Sequence, residues 1–257
     1  MKMRLLPNIL VGIIVICVLC VLPGKAAFAR HKSTLPQINS AELTNEYQRL
    51  TEEYAQLLKQ TDKRLLKKIK RKRGGQNTSF TKEQVALKIK YDQLNTRLQE
   101  ITPVYELKEA LKINYLNYYE LPQNKLTALD QEASMLAVNL FAEIARLKTQ
   151  YKSFFIPTVH NLMIGLKIKK RGACKDWAED LLTYMRPIER HYFTVTWLEA
   201  NPKKVNEHNV ATIIPGTQPV STGLIIDPWR TSGKPFWIKV TDDHHYHWQV
   251  WQGYGMY

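Results

Sequence analysis

Three residues in the C-terminal half of the chain have the types, order and spacing of a thiol-based acyl-transfer site. They are Cys174 in RGACKDWAEDLL, His208 in EHNVATII and Asp227 in GLIIDPW, separated by 34 and 19 residues. A thiol attacks a carbonyl as its thiolate, a base must take and return the proton, and an acceptor must fix the base's ring. Cys174, Trp177, Ala178, Leu181, Leu182 and Met185 follow helical spacing, so Cys174 to Met185 reads as a helix with its cysteine in the first turn. There the N–H groups lack intrahelical partners and the dipole is positive, which favours a thiolate and offers donors to an oxyanion. On this reading Cys174 sits partly exposed in a cleft, facing His208. Each residue also has a purely structural reading: a packed thiol, a polar strand residue and an ordinary Asp-Pro strand exit.

The elements that must position these residues are those of an α+β domain, a helix packed on an antiparallel sheet. HYFTVTWLEA, HNVATII, GLIIDPW and FWIKV are rich in β-branched and aromatic residues and separated by Pro, Gly and Asn, so they read as strands. Two adjacent strands joined by IPGTQPVSTG could bring His208 and Asp227 side by side, facing the helix. A short helix over Thr158 to Lys170, stopped by Arg171-Gly172, precedes the cysteine helix. The six tryptophans crowd this half and read as its core.

Residues 30–152 read instead as a helical region with a coiled-coil-like hairpin. Tyr47, Leu50, Tyr54 and Leu57 recur at three-four spacing, as do Leu87, Tyr91, Leu94, Leu98 and Ile101, and Leu129 through Tyr151. The hairpin turns near Gly74-Gly75, Thr81 with Gln84 forms a capping box, and Thr102-Pro103 and Leu121-Pro122 read as helix breaks. The first helix ends in KRLLKKIKRKR, Lys63 to Arg73, with eight basic residues in eleven. That end is either a solvated, dipole-complementing terminus or a contact for an anionic membrane or cell-wall surface. No aromatic residues interleave with the charges, so no nucleic-acid partner is expected.

The first 29 residues differ in kind. Lys2 and Arg4 precede an apolar run from Leu5 to Leu22, then Ala27-Phe28-Ala29 follows, the order of a secretory signal or an uncleaved anchor. Either places the remainder beyond the cytoplasmic membrane, periplasmic or anchored and facing outward. Cys17 and Cys20 lie inside that run, so a cleaved product has Cys174 as its one thiol and no internal disulfide. The whole chain of 257 residues carries a net charge of +14, and 44% of it is apolar. That composition excludes a disordered chain and favours anionic surfaces without choosing among them. DDHHYHW, Asp242 to Trp248, has a metal-binding composition with His245 and His247 on one strand face, but so tight and terminal a cluster reads as a surface or cleft rim. No metal or cofactor is expected. His160 and His191 read as polar residues at element edges, and Asn77-Thr78-Ser79 matches a weak glycosylation sequon.

Taken together, GACKDWA around Cys174, HNVATI at His208 and IIDPWR at Asp227 resemble the transglutaminase-like superfamily, within the papain-like cysteine hydrolases. The similarity spans roughly residues 155 to 240. It implies a Cys174, His208, Asp227 triad and acyl chemistry on an amide or ester through a thioacyl intermediate, released to water or an amine. The substrate implied is a protein, peptide or cell-envelope amide. Papain-like enzymes carry an upstream polar side chain that completes the oxyanion hole, and Asn161 in HNLMIGL is the candidate by residue type. Asn209 follows the histidine, where the superfamily usually has a small or aromatic residue. The alternative function is a non-catalytic envelope scaffold or binding protein on a retired hydrolase fold.

Overall fold

The structure, a computed structural model, describes residues 40–71, 80–152 and 156–253. The apolar run with Cys17 and Cys20, the hairpin turn at Gly74-Gly75, the sequon, and Lys72 with Arg73 lie outside those residues. Among the described residues, six α-helices precede a five-stranded antiparallel sheet: α1 (Ser40–Gln60), α2 (Lys63–Arg71), α3 (Lys82–Leu116), α4 (Gln123–Tyr151), α5 (Pro157–Gly165) and α6 (Cys174–Met185). The strands are β1 (Phe193–Ala200), β2 (His208–Pro215), β3 (Leu224–Ile226), β4 (Trp237–Lys239) and β5 (Gln249–Val250), in the spatial order β4-β3-β2-β1-β5. The α+β class is as the sequence indicates. No described helix is long and apolar enough to cross a membrane.

Three features differ from the sequence expectation among the helices. The first helix does not run on to the basic stretch but breaks at Thr61-Asp62, because the Asp62 carboxylate caps a new helix, accepting from Arg64 N at 2.9 Å and Leu65 N at 3.1 Å. The helix does not break at Thr102-Pro103, since α3 continues through Pro103. The carbonyl that Pro103 leaves without a helix bond belongs to exposed Gln99, where water can serve it. A continuous helix also keeps both apolar stretches aligned, Leu94 to Ile101 on one side of the proline and Leu107 to Tyr115 on the other. Finally, α5 ends at Gly165 rather than Lys170, with Lys167 at φ 58° in the turn that follows. The capping box of Thr81 and Gln84 forms as the sequence indicates.

One apolar core joins the second half of α3, α4, α6 and the inner face of the sheet. Leu111, Leu136, Leu140 and Leu147 meet Trp177, Leu181 and Met185, and these meet Ala211, Ile213 and Ile226. Buried polar ties fix the register between layers. Glu132 on α4 accepts from the backbone N–H groups of His191, Tyr192 and Phe193, at 2.6, 3.0 and 3.0 Å, and so captures the start of β1. Asn114 on α3 donates to Thr222 O at 2.8 Å. Lys108, 2% exposed, joins the helices through Asp130 at 2.9 Å and Thr44 at 2.8 Å.

Candidate active site

Cys174 is the first residue of α6, and the backbone before it is tightly built. Gly172 has φ 117°, and a Cβ there would run into the His160 ring, so the position needs glycine. The Gly172 and Ala173 N–H groups donate to the Asp176 carboxylate at 2.7 and 2.9 Å, which closes the entry to the helix. His160 on α5 is buried, and its Nε2–H donates to Arg171 O at 3.1 Å while Lys169 approaches Nδ1 at 3.5 Å. Burial lowers its pKa below the ordinary histidine range. His160 therefore braces the turn as a neutral side chain, a larger role than the polar edge residue suggested by sequence. Arg171 reaches Glu179 and Asp180 on α6, each at 2.8 Å, and Tyr151 donates to Asp180. Cys174 is thus held at a fixed helix N-terminus.

Sequence spacing suggested a partly exposed thiol, but Cys174 is 6% exposed. One reason is the loop into β2, whose Glu207 carbonyl lies 3.8 Å from the sulfur. His208 is the first residue of β2. The strand's alternation sends Ala211 and Ile213 into the helical core, and Val210 into a cluster on the other face with Leu198 and Ile225. Glu207, just before the strand, meets Cys174 at the start of α6, so His208 lies at the end of the sheet beside the helix's N-terminus.

Register places Ala211 opposite Ile226, so Asp227 emerges one residue further along β3, near His208. His208 Nε2–H donates to Asp227 Oδ2 at 2.7 Å, and both side chains are 1% exposed. Nδ1 of the same ring is buried and makes no hydrogen bond among the described residues. Burial pulls the His208 pKa down, yet Asp227 and Cys174 together outweigh it and raise the pKa to about 9. A pKa of about 9 keeps the ring protonated at neutral pH, with its Nε2–H on the carboxylate.

Behind Asp227 lies a network that the sequence reading missed. Arg230 donates from its backbone N to Oδ1 at 3.2 Å and from Nε to Oδ2 at 2.9 Å. Its guanidinium then pairs with Asp243 at 2.7 and 3.3 Å and lies over the rings of Phe236 and Tyr246. Trp248 donates to Asp243 at 3.2 Å. Because Asp243 is engaged here, and residues 244–248 are turn and irregular chain, the expected strand face for His245 and His247 does not form. Among the described residues no group of three or more His, Cys, Asp or Glu side chains could hold a metal.

Trp229, Tyr246 and Trp248 surround the imidazole with ring centroids at 4.8, 4.8 and 5.6 Å. Trp229 also donates to Asn161 Oδ1 at 3.2 Å, so Asn161 is tied to the ring packed on His208 and its amide NH2 keeps its donors. Asn209, the departure from the superfamily pattern, is a brace: it accepts from Trp197 Nε1 at 2.8 Å and donates to Glu207 at 2.9 Å. The structure joins His208 to Asp227 by a hydrogen bond and sets Cys174 against the carbonyl of the neighbouring Glu207, with Asn161 connected to the histidine through Trp229. The signal for Arg230 was present in DPWR, three residues beyond Asp227, but the Asp243 and Tyr246 partners return from a later loop that spacing does not locate. Comparisons with protein-family models, with curated proteins and with solved structures each found no match to this chain.

Proposed function

We propose that this protein carries out thiol-dependent acyl chemistry on an amide or ester bond, in a transglutaminase-like, papain-type arrangement with Cys174 as nucleophile. The observation that supports this reading is the buried His208 ring, bonded to Asp227 through Nε2 with a raised pKa, next in sequence to the Glu207 carbonyl that lies 3.8 Å from the Cys174 sulfur. With the proton on the imidazole, the sulfur attacks the substrate carbonyl as thiolate. The oxyanion meets N–H groups at the start of α6, with the Asn161 amide as a further donor. His208 Nδ1 then gives its proton to the leaving amine or alcohol as the C–N or C–O bond breaks, leaving a thioester on Cys174. An incoming water or amine loses its proton to His208, attacks the thioester carbonyl and releases the thiolate. Asp227 keeps the ring oriented throughout. The substrate class is a protein, peptide or cell-envelope amide, and the protein acts beyond the cytoplasmic membrane.

A second reading is favoured by the 6% exposure of Cys174: a scaffold on a retired hydrolase fold, its site closed to substrate. A glutamine-containing peptide offered with a labelled primary amine separates the alternatives. Label in the peptide means transfer, and ammonia release without label means hydrolysis. Neither product, with enzyme and Cys174→Ala alike, favours the scaffold.

A further inference from the structure

α5 buries His160 on one side and leaves its other side bare. Ile156, Val159, Leu162 and Leu166 follow three-four spacing along that side, and Ile168 continues it in the turn, with exposures between 41% and 62%. These five are the densest group among the exposed large apolar side chains of the described residues. The charge around them has one sign: residues 144–175 contain eight Lys or Arg and no Asp or Glu.

Not all of those cations are available. Arg171 is taken by Glu179 and Asp180 of α6, and Lys169 donates to Tyr151 O and Lys152 O at the end of α4. Lys152, Lys167 and Lys170 are exposed, and none forms an ion pair among the described residues. An apolar stripe edged by unpaired lysines is the pattern of a helix that lies in the interface of an anionic bilayer. A purely anionic polymer would satisfy the lysines but gives Leu162 and Leu166 nothing, whereas acyl chains beneath anionic headgroups satisfy both.

We propose that the face of α5 formed by Val159, Leu162 and Leu166, with Lys152, Lys167 and Lys170, docks on an anionic lipid bilayer. This surface is separate from the basic end of α2 and goes beyond the acyl-transfer reading. Because Asn161 on the same helix ties to Trp229 beside His208, docking would set the candidate site close to the lipid surface.

Hydrogen exchange read by mass spectrometry tests it on the full chain, whose apolar N-terminal run can hold it on any vesicle, so binding alone is not the readout. Amides of residues 157–170 should exchange about tenfold more slowly on phosphatidylcholine vesicles containing phosphatidylglycerol than on phosphatidylcholine alone. Leu162→Asp with Leu166→Asp should abolish the difference, and so should Lys167→Glu with Lys170→Glu. If the paired aspartates disturb the near-ultraviolet circular dichroism, Leu162→Ser should still reduce it. Equal exchange on both vesicles overturns the proposal. So does equal protection by soluble polyglutamate, which indicates a polymer partner, or protection that rises with protein concentration without lipid, which indicates a second copy.

Discussion

α3 passes through two regions held together by different physics. Its first half packs on α1 through one narrow stripe, Leu50, Leu57 and Leu94 with Tyr54, Leu87, Tyr91, Leu98 and Ile101 around them. The charges of that arm are exposed pairs such as Arg49 with Glu46 and Glu53. Its second half enters the main core, beside a sheet whose charges are linked, with His208, Asp227 and Asp243 buried and Arg230 partly so. An arm of this kind owes its stability to apolar area and is indifferent to single surface charges. The site region depends on the charge state of a few groups, so it should be the part that pH and single charge deletions disturb.

The sharpest way to break that contrast is Arg230→Met. It leaves Asp227 and Asp243 without their shared cation and should destabilise the fold by about 3–5 kcal/mol in denaturant unfolding. A loss below about 1 kcal/mol would place Arg230 with the surface pairs of the arm. Gly172→Ala comes next, at about 2–3 kcal/mol, since a side chain at that positive φ is strained and meets His160. Acyl labelling of Cys174 should fall with it.

Leu50→Ala should cost about 2 kcal/mol, the lower end for a core leucine because the thin stripe can partly close. Its signature is local: faster hydrogen exchange in 40–60 and 82–101, with the His208 titration unchanged. The fourth test is pH. The folded His208 pKa lies above the ordinary value, at about 9, so its contribution is fully present below about pH 6.5 and lost as pH rises through about 9. Unfolding free energy should therefore decline over that interval in the parent protein and decline less in His208→Gln, where a parallel curve would contradict the raised pKa. Smallest of all, Arg49→Ala should change stability by less than about 0.5 kcal/mol.

Much of the arrangement was legible because it obeys local periodicity. The stripe from Cys174 to Met185 is set by one face, and the strands are marked by β-branched and aromatic runs between Pro, Gly and Asn; such local signals suffice to predict an element. Pro103 misled because its rule is local, while the force keeping α3 continuous is packing at both ends of a helix of 35 residues. The order of Cys174, His208 and Asp227 could be read, but not the thiol's burial, since the Glu207 carbonyl beside it approaches from another part of the chain. The Arg230 network was hidden for the same reason: its anchor, Asp243, sits in a segment whose histidines drew attention toward metal chemistry. His160 was underrated because its task is to fill the space above a glycine, which no residue count reveals.

The central claim is that His208 and Asp227 make Cys174 an acyl-accepting nucleophile. Its most direct test is covalent labelling with an activated acyl probe, located by peptide mass spectrometry so that Cys17 and Cys20 are counted apart. The account predicts acylation at Cys174 in the parent, none at that position in Cys174→Ala, and a loss of about a hundredfold or more in His208→Gln, with circular dichroism unchanged in both. Equal acylation of Cys174 in His208→Gln, or no acylation of Cys174 in the folded parent, would contradict it.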